Sequence, residues 1–323
     1  MSWYYEGFKE RLKTKLIATE EELAMYVTTE EGKVGIQFED SLIPLDLEGE
    51  EDNLDLFETQ RSVEDNPFWD IINNTPDCGT TPDSVDHRPN QTSIKNQLDR
   101  GTCVCFASLA CLEALLIGDE KDFDLSEQYA NWMYMRNQGR DQCDDGLRTT
   151  KSAVYLSQSG VCLERYAPYE NKNTVQNHCN IPPSIDAQNN ANYGIGSYAI
   201  IHRLGPLDPS ISNPYYLECV LKNGYDIVFG THVAWGYPDR NGVLDIKLDS
   251  NGQPIESRGG HAMLLVGYNK IAPVPYFIFK NSWGQNKSNA GYYYLSYDYI
   301  IEYAKYGYII YDTRDDMNQN FLT

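Results

Sequence analysis

Residues 96 to 109, NQLDRGTCVCFASL, hold two cysteines one residue apart, Cys103 and Cys105. They are too near in sequence to bridge comfortably, and no C-x-x-C or His-x-x-x-His pair exists to make a metal site. The chemistry open to them is nucleophilic. It needs a thiolate, a base that takes the proton, and a third group that orients the base. A helix N-terminus assists, because its exposed N–H groups and dipole favour the anion and lower the thiol pKa. The apolar run CVCFASLACLEALLI, preceded by Gly101 and Thr102, predicts a buried helix that starts at Thr102 or Cys103. By position Cys103 is the better nucleophile. Cys105 and Cys111 fit the commoner fate of a core cysteine.

Of the five histidines (87, 178, 202, 232 and 261), His261 stands at the start of the predicted strand HAMLLVGYN, behind two glycines that leave space beside it. Twenty residues later, after YFIF, comes KNSWG with Asn281 and Trp283. An Asn oxygen can accept the imidazole N–H and fix its tautomer, while a neighbouring Trp shields that bond from water. Singly, each has a plainer reading: a lone His is more often structural, and NSWG fits a turn.

These groups must be carried by elements that bring them together. LSEQYANWMYMRN and TTKSAVYLSQSG predict two more helices after the first. Past residue 190 the texture changes to YDIVFGTHVAWGY, HAMLLVGYN, PYFIFKNSW and GYYYLSYDY, short aromatic and β-branched runs broken by Gly, Pro and Asn. They predict an antiparallel sheet or barrel. Helices first and strands later give an α+β protein with two lobes. GIGSY is a glycine pair of a strand or turn, because no Lys-Ser/Thr follows to make a phosphate loop.

Taken together, the motifs resemble the papain family of cysteine proteases, of bacterial type. Asn96-Gln97, Gly101-Thr102-Cys103 and Phe106 follow the family's pattern around its nucleophile, and Gln97 lies six residues before Cys103. LSEQ, CDDG (143 to 146), GVC…APY, GGHAMLLVGY and KNSWG…GYYYLS then occur in the family's order, over roughly residues 82 to 312. The resemblance implies a two-lobed fold with a helical left lobe, an antiparallel β-barrel-like right lobe and the cleft between them. It implies that a Cys103 thiolate, paired with a His261 imidazolium, attacks a peptide carbonyl. The backbone N–H of Cys103 and the Gln97 amide hold the oxyanion, Asn281 orients the ring and Trp283 covers it. Gly146 and Asp145 resemble the substrate-binding stretch of the family, and Gly260 lines the second subsite, where an apolar side chain is expected. No cofactor and no metal enters this chemistry.

Three positions depart from the pattern. Arg100 stands where the family commonly has a cysteine whose partner aligns with Cys143, so that bridge is absent. Val104 stands where a Trp is usual, and Lys287 where a second Trp is expected after NSWG. His261 is 158 residues from Cys103 and Asn281 is 178 from it, against about 130–150 in the family signature. The excess is assigned to loops such as GYPDRNGVLDIKLDSNGQPIESRG at the cleft rim.

The net charge of −21 excludes nucleic acid as a partner, since phosphates would be repelled. No apolar run reaches the length of a membrane span. Residues 1 to 85 hold 21 of the 47 Asp and Glu but only 6 of the 26 Lys and Arg, which marks a separate acidic segment. Its opening places Tyr5, Phe8, Leu12, Leu16 and Leu23 near helical spacing, and KVGIQFED alternates like a strand. With a boundary near residues 78 to 86, the expected organisation is an N-terminal segment (1–81) and a papain-like domain (82–323). The helical lobe then runs to about 190 and the mainly β lobe from 191. The N-terminal segment is expected to cover the cleft as a propeptide. The eight cysteines are irregularly spaced and, with no export signal, most are expected to be free thiols of a cytoplasmic protein. The expected partners are a peptide or protein substrate and the chain's own N-terminal segment as inhibitor, with no nucleic acid and no membrane. Two other functions use the same residues: a transpeptidase or peptide-maturation enzyme, and an inactive peptide-binding homologue.

Overall fold

The computed structural model describes residues 3–28, 34–38, 41–45, 78–117, 123–137, 147–170, 181–204 and 210–314. Four N-terminal to central elements build the helical lobe: α4 (Cys103–Leu116), α5 (Glu127–Asn137), α6 (Thr149–Gln158) and the short α7 (Ile185–Asn189), where α1 to α3 are the N-terminal helices introduced below. The carbonyl of Thr102 accepts the amides of Cys105 and Phe106, so α4 begins with Cys103 in its first turn, as predicted. Eleven of its residues, 103 to 113, are buried, which is why its sequence is a continuous apolar run without a polar face.

The second half is an eight-stranded sheet. Its order is β5 (Gly194–Ile201), β11 (Ala304–Arg314), β6 (Ile227–His232), β8 (Gly260–Asn269), β9 (Tyr276–Lys280), β10 (Tyr292–Ser296) and β7 (Val243–Leu244), with β4 (Ser84–Asp86) paired to β8. All pairs are antiparallel except β10 with β7. Side chains alternate across the sheet, as a period of two requires. Val228, Ala262, Leu264, Ile278, Tyr308 and Ile310 pack with α4, α5 and α6. Phe229, Met263, Leu265, Phe277, Phe279 and Ile309 pack into a second core. The sheet is thus buried on both faces, and that second core is closed by helices α8 (Pro214–Lys222) and α9 (Tyr297–Tyr303).

The N-terminal segment folds as α1 (Trp3–Glu6), α2 (Phe8–Leu12), α3 (Glu20–Ala24) and a three-stranded antiparallel sheet of β1 (Tyr26–Thr28), β2 (Val34–Phe38) and β3 (Ser41–Pro44). The strand expected in KVGIQFED is present. The single helical period is not: Phe8 is buried, but Leu16 is 69% and Leu23 37% exposed. The chain leaves helix after Leu12 and runs beside residue 248, where Ile17 bridges Leu248, so the spacing of Leu16 and Leu23 carries no common face.

Tyr4, Phe8, Ile36 and Leu45 enter the second core beside Trp235, Leu248 and Tyr297. Arg11 and Lys15 both pair with the buried Asp298 of α9, at 2.7 Å each, and Lys15 also reaches Asp245 at 2.6 Å. The partner of this segment is the loop of residues 236 to 259, which supplies Asp245, Lys247 and Leu248. That loop is where the excess length between Cys103 and His261 was expected. It is not a bare rim loop, because Val243, Leu244, Ile246, Leu248 and Ile255 are buried.

Of the six described cysteines four are thiols, as most were expected to be, and two are bridged. Cys78 and Cys219 form a disulfide across 141 residues, joining the end of the N-terminal segment to α8. Cys103, Cys105, Cys111 and Cys162 are buried thiols. Spacing could not reveal the pair, because the two residues are brought together by β4 and α8 packing on β8.

Removing both cations that face Asp298 leaves an uncompensated buried charge. The Arg11→Ala/Lys15→Ala chain is expected to lose about 3–5 kcal/mol of stability in urea unfolding, whereas Lys13→Ala, in an exposed pair with Glu10, changes it by well under 1 kcal/mol.

Candidate active site

The N-terminus of α4 and the first residues of β8 meet at the boundary of the two cores. Cys103 Sγ accepts the amide N–H of Ala262 at 3.4 Å, so the thiol sits one residue from His261. Cys103 is 1% and His261 3% exposed. His261 Nε2 donates to Asn281 Oδ1 at 2.8 Å, and the same oxygen accepts the amide of Ser282 at 2.7 Å. That fixes the tautomer: the proton is on Nε2, and Nδ1 keeps its lone pair without a hydrogen-bond partner. Trp283 lies over the ring with centroids 4.6 Å apart, as the motif led one to expect.

Burial pushes the His261 pKa down to about 4, and the bond to Asn281 opposes this only in part. Burial thus works against a charged ring in this closed arrangement, whereas the resemblance implies an imidazolium. The physical reason is desolvation of a charged ring, with no carboxylate among the described residues acting on it. An ion pair with Cys103 requires the thiolate's own charge or entry of water.

Gln97 is fully buried and tied on three sides. Its amide N–H donates to the Ser282 carbonyl at 2.8 Å, its Oε1 accepts from Ser282 Oγ at 2.6 Å, and its Nε2 donates to the Arg100 carbonyl at 2.8 Å. The oxygen end of the amide is thereby committed to Ser282, and one Nε2 hydrogen to the Arg100 carbonyl. Gly284, at φ +86°, turns the chain away after Trp283 so closely that a Cβ there would stand 3.2 Å from Asn96. Gly260 is the first residue of β8, paired with His232. Asp145 and Gly146, like Cys143, lie outside the described residues.

Several supporting residues were not singled out from the sequence. Tyr169, quoted only within APY, donates its hydroxyl to the Gln97 carbonyl at 2.8 Å, meets Thr102 Oγ1 at 2.7 Å and packs edge-on to Phe106. Arg100 is buried against the Tyr169 ring and donates to Gln128 Oε1 and the Glu170 carbonyl at 2.7 Å each. It thus ties the loop before Cys103 to α5 without the family's sulfur bridge. Behind Asn281 lies a cavity of about 20 Å³, enough for one water, lined by Lys95, Glu113, Glu127 and Lys280 among others. Lys95 pairs with Glu113 and Glu127, while burial pushes Lys280 down to about 8 and Glu127 up to about 8. Trp235, in the loop after β6, lies tilted against Trp283 (5.2 Å), stacks on Tyr293 (5.5 Å) and stands edge-on to His261 (6.1 Å). It is a second indole packed against Trp283.

Among the described residues no group of His, Cys, Asp and Glu is arranged to hold a metal ion, and no helix is long and apolar enough to cross a membrane.

Comparisons with known proteins bear on the family and the fold. A family model described as "Papain family cysteine protease" matches residues 81–306. The viral cathepsin of Epiphyas postvittana nucleopolyhedrovirus is 30% identical over 210 residues, 62% of this chain. The match covers 55% of that relative, so the chain spans little more than half of its length. Mexicain of Jacaratia mexicana is 28% identical over 65% of this chain and 86% of its own. Among solved structures, xylellain, a cysteine protease from Xylella fastidiosa, superposes with a TM-score of 0.60 at 25% identity, over 74% of this chain and 89% of its own.

The buried ring makes stability sensitive to acid. Its folded pKa of about 4 lies below the ordinary 6.5, so between these values the unfolded chain binds a proton that the folded chain refuses. Stability present above pH 6.5 is lost on acidification towards pH 4, by about 3 kcal/mol. Urea unfolding at pH 7 and pH 4 is expected to show a drop larger by that amount in wild type than in His261→Gln.

Proposed function

Because the chain belongs to the papain family of cysteine proteases, we propose that it is a peptidase that cuts peptide bonds through a thioester on Cys103. The observation that supports this most is the contact of the Cys103 sulfur with the strand that carries His261, whose one hydrogen-bonding nitrogen is fixed by Asn281. Cys103 Sγ attacks the carbonyl carbon, and the C=O electron pair moves to oxygen. The backbone N–H of Cys103 and the remaining Gln97 Nε2 hydrogen receive that oxyanion. His261 Nδ1 carries the thiol proton to the leaving amine as the C–N bond breaks. Water, deprotonated by the same nitrogen, then cleaves the thioester. Trp283 keeps bulk water from the His261–Asn281 bond, Gly260 leaves room beside the ring, and Asp145 and Gly146 receive the extended acyl side of the peptide.

Residues 1–81 are read as a region apart from the catalytic domain, 82–323, that restricts access to the cleft. The near-complete burial of Cys103 and His261 supports this, as does the shared fold with a procathepsin L and a bromelain precursor. The pairing of Arg11 and Lys15 with buried Asp298 favours a region that stays docked. The Cys78–Cys219 bond favours an oxidising compartment over the cytoplasm as the place of action.

Iodoacetamide is expected to modify Cys103 in the wild type, identified by peptide mass, and far more slowly in His261→Ala. Absence of modification in the wild type, both whole and cut near residue 80, rejects the peptidase. Gln97→Ala is expected to lower kcat on a peptide substrate by about 10²–10³. On incubation the wild type is expected to trim itself near residue 80 while Cys103→Ala stays whole. Cut there, the N-terminal piece remains bonded through Cys78, so a gel separates the two pieces only after reduction. Uncut wild type as active as the cut form removes the access-restricting role.

A further inference from the structure

Trp235 belongs to a stretch without regular structure, residues 233 to 239, that follows β6. Its two backbone polar groups have the same partner. Tyr26 of the N-terminal segment accepts the Trp235 N–H at 2.5 Å and donates its hydroxyl to the Trp235 carbonyl at 2.7 Å. Glu22, four residues earlier and buried, accepts the Tyr237 N–H at 2.7 Å and pairs with Lys247 at 2.8 Å. Glu22 comes so near that a Cβ on the intervening Gly236 would meet its carboxylate at 2.5 Å. Glu22 is itself held by a capping box with Thr19 at the start of α3. The contact is therefore built, with rigid elements of the N-terminal segment on one side and one tripeptide on the other.

That tripeptide carries the indole that stands 6.1 Å from the His261 ring at 85° and 5.2 Å from Trp283. Nothing covalent fixes a histidine ring beyond its hydrogen bonds and the rings packed on it. Asn281 holds Nε2, Trp283 covers a face, and Trp235 meets it edge-on. If the Tyr26 hydroxyl is removed, a buried N–H and a buried C=O lose their partner together, at a cost that the loop can avoid only by moving. The indole then moves with it.

The geometry points to Tyr26 as a positioning residue for the reaction: through Trp235 it holds the His261–Trp283 pair in place, so the docked N-terminal segment is a resident part of the working site. This rests on the peptidase reading and deepens it, since a segment that only blocks the cleft gives more activity when loosened, whereas a segment that positions the base gives less.

The test uses the full chain and a peptidyl coumarin amide chosen from a library cleaved by wild type. Tyr26→Phe is expected to lower kcat about tenfold with KM within twofold and with a melting temperature near that of wild type. Acrylamide is expected to quench its tryptophan fluorescence more strongly, as Trp235 becomes solvated. Glu10→Ala, on the exposed side of the same segment, is expected to leave both constants unchanged. Unchanged or raised kcat in Tyr26→Phe overturns the inference, as does a fall in kcat matched by an equal fall in melting stability alone without the change in quenching. Should Tyr26→Phe fail to fold, Trp235→Phe keeps the backbone clamp and shortens the ring: lowered kcat at constant KM supports the inference, and unchanged kcat overturns it. A wild type that neither cleaves the amide nor takes iodoacetamide at Cys103 overturns the peptidase reading, and the inference falls with it.

Discussion

The contact between Cys103 Sγ and the amide of Ala262 is the point on which the molecule turns. One partner is the first residue of a helix buried in one core, and the other lies at the start of a strand shared by both cores. Neither element can slide without disturbing packed side chains, because Ala262 and Leu264 face the helices while Met263 and Leu265 face the opposite core. The reacting atoms are thus placed by the period of the strand and the start of the helix, not by a loop. Ser282 adds a cross-tie, since it bonds both the Asn281 and the Gln97 side chains and so couples the two.

Much of this was legible in the sequence, and the reasons are local. The start of α4 follows from Gly101-Thr102 before an apolar run, and His261, Asn281 and Trp283 sit at the ends of strands whose short apolar and aromatic runs are visible in HAMLLVGYN and YFIF. Chemistry at fixed offsets from such elements can be read. The absent bridge at Arg100 was also foreseen, but not what replaces it: a guanidinium laid on Tyr169 depends on a contact across 69 residues. The effect of burial on the ring was not legible for a similar reason. A thiolate–imidazolium pair follows from residue types, whereas the pull against the ring's charge follows from how completely it is buried, which no spacing encodes.

The N-terminal segment was the least legible part. Its acidity suggested a soluble strip laid over a cleft, yet Arg11 and Lys15, two of its few cations, make its firmest contacts. One of its carboxylates, Glu22, is buried rather than solvated. The extra residues between Cys103 and His261 and the extra residues before position 45 are two halves of one interface, joined by Lys15 with Asp245, Glu22 with Lys247, and Ile17 with Leu248. Each half alone looks like a loop or a tail. Each gains its meaning from the other, across separations of more than 200 residues.

The bond from Cys78 to Cys219 has a topological consequence. Everything between these residues, including the whole helical half and its reactive sulfur, is a closed covalent ring whose clasp lies against the sheet. A ring of this length restricts the unfolded chain by about 5 kcal/mol in the loop-entropy picture. A thiol reductant that opens the clasp would lift that restriction from the unfolded chain and so lower the stability of the fold.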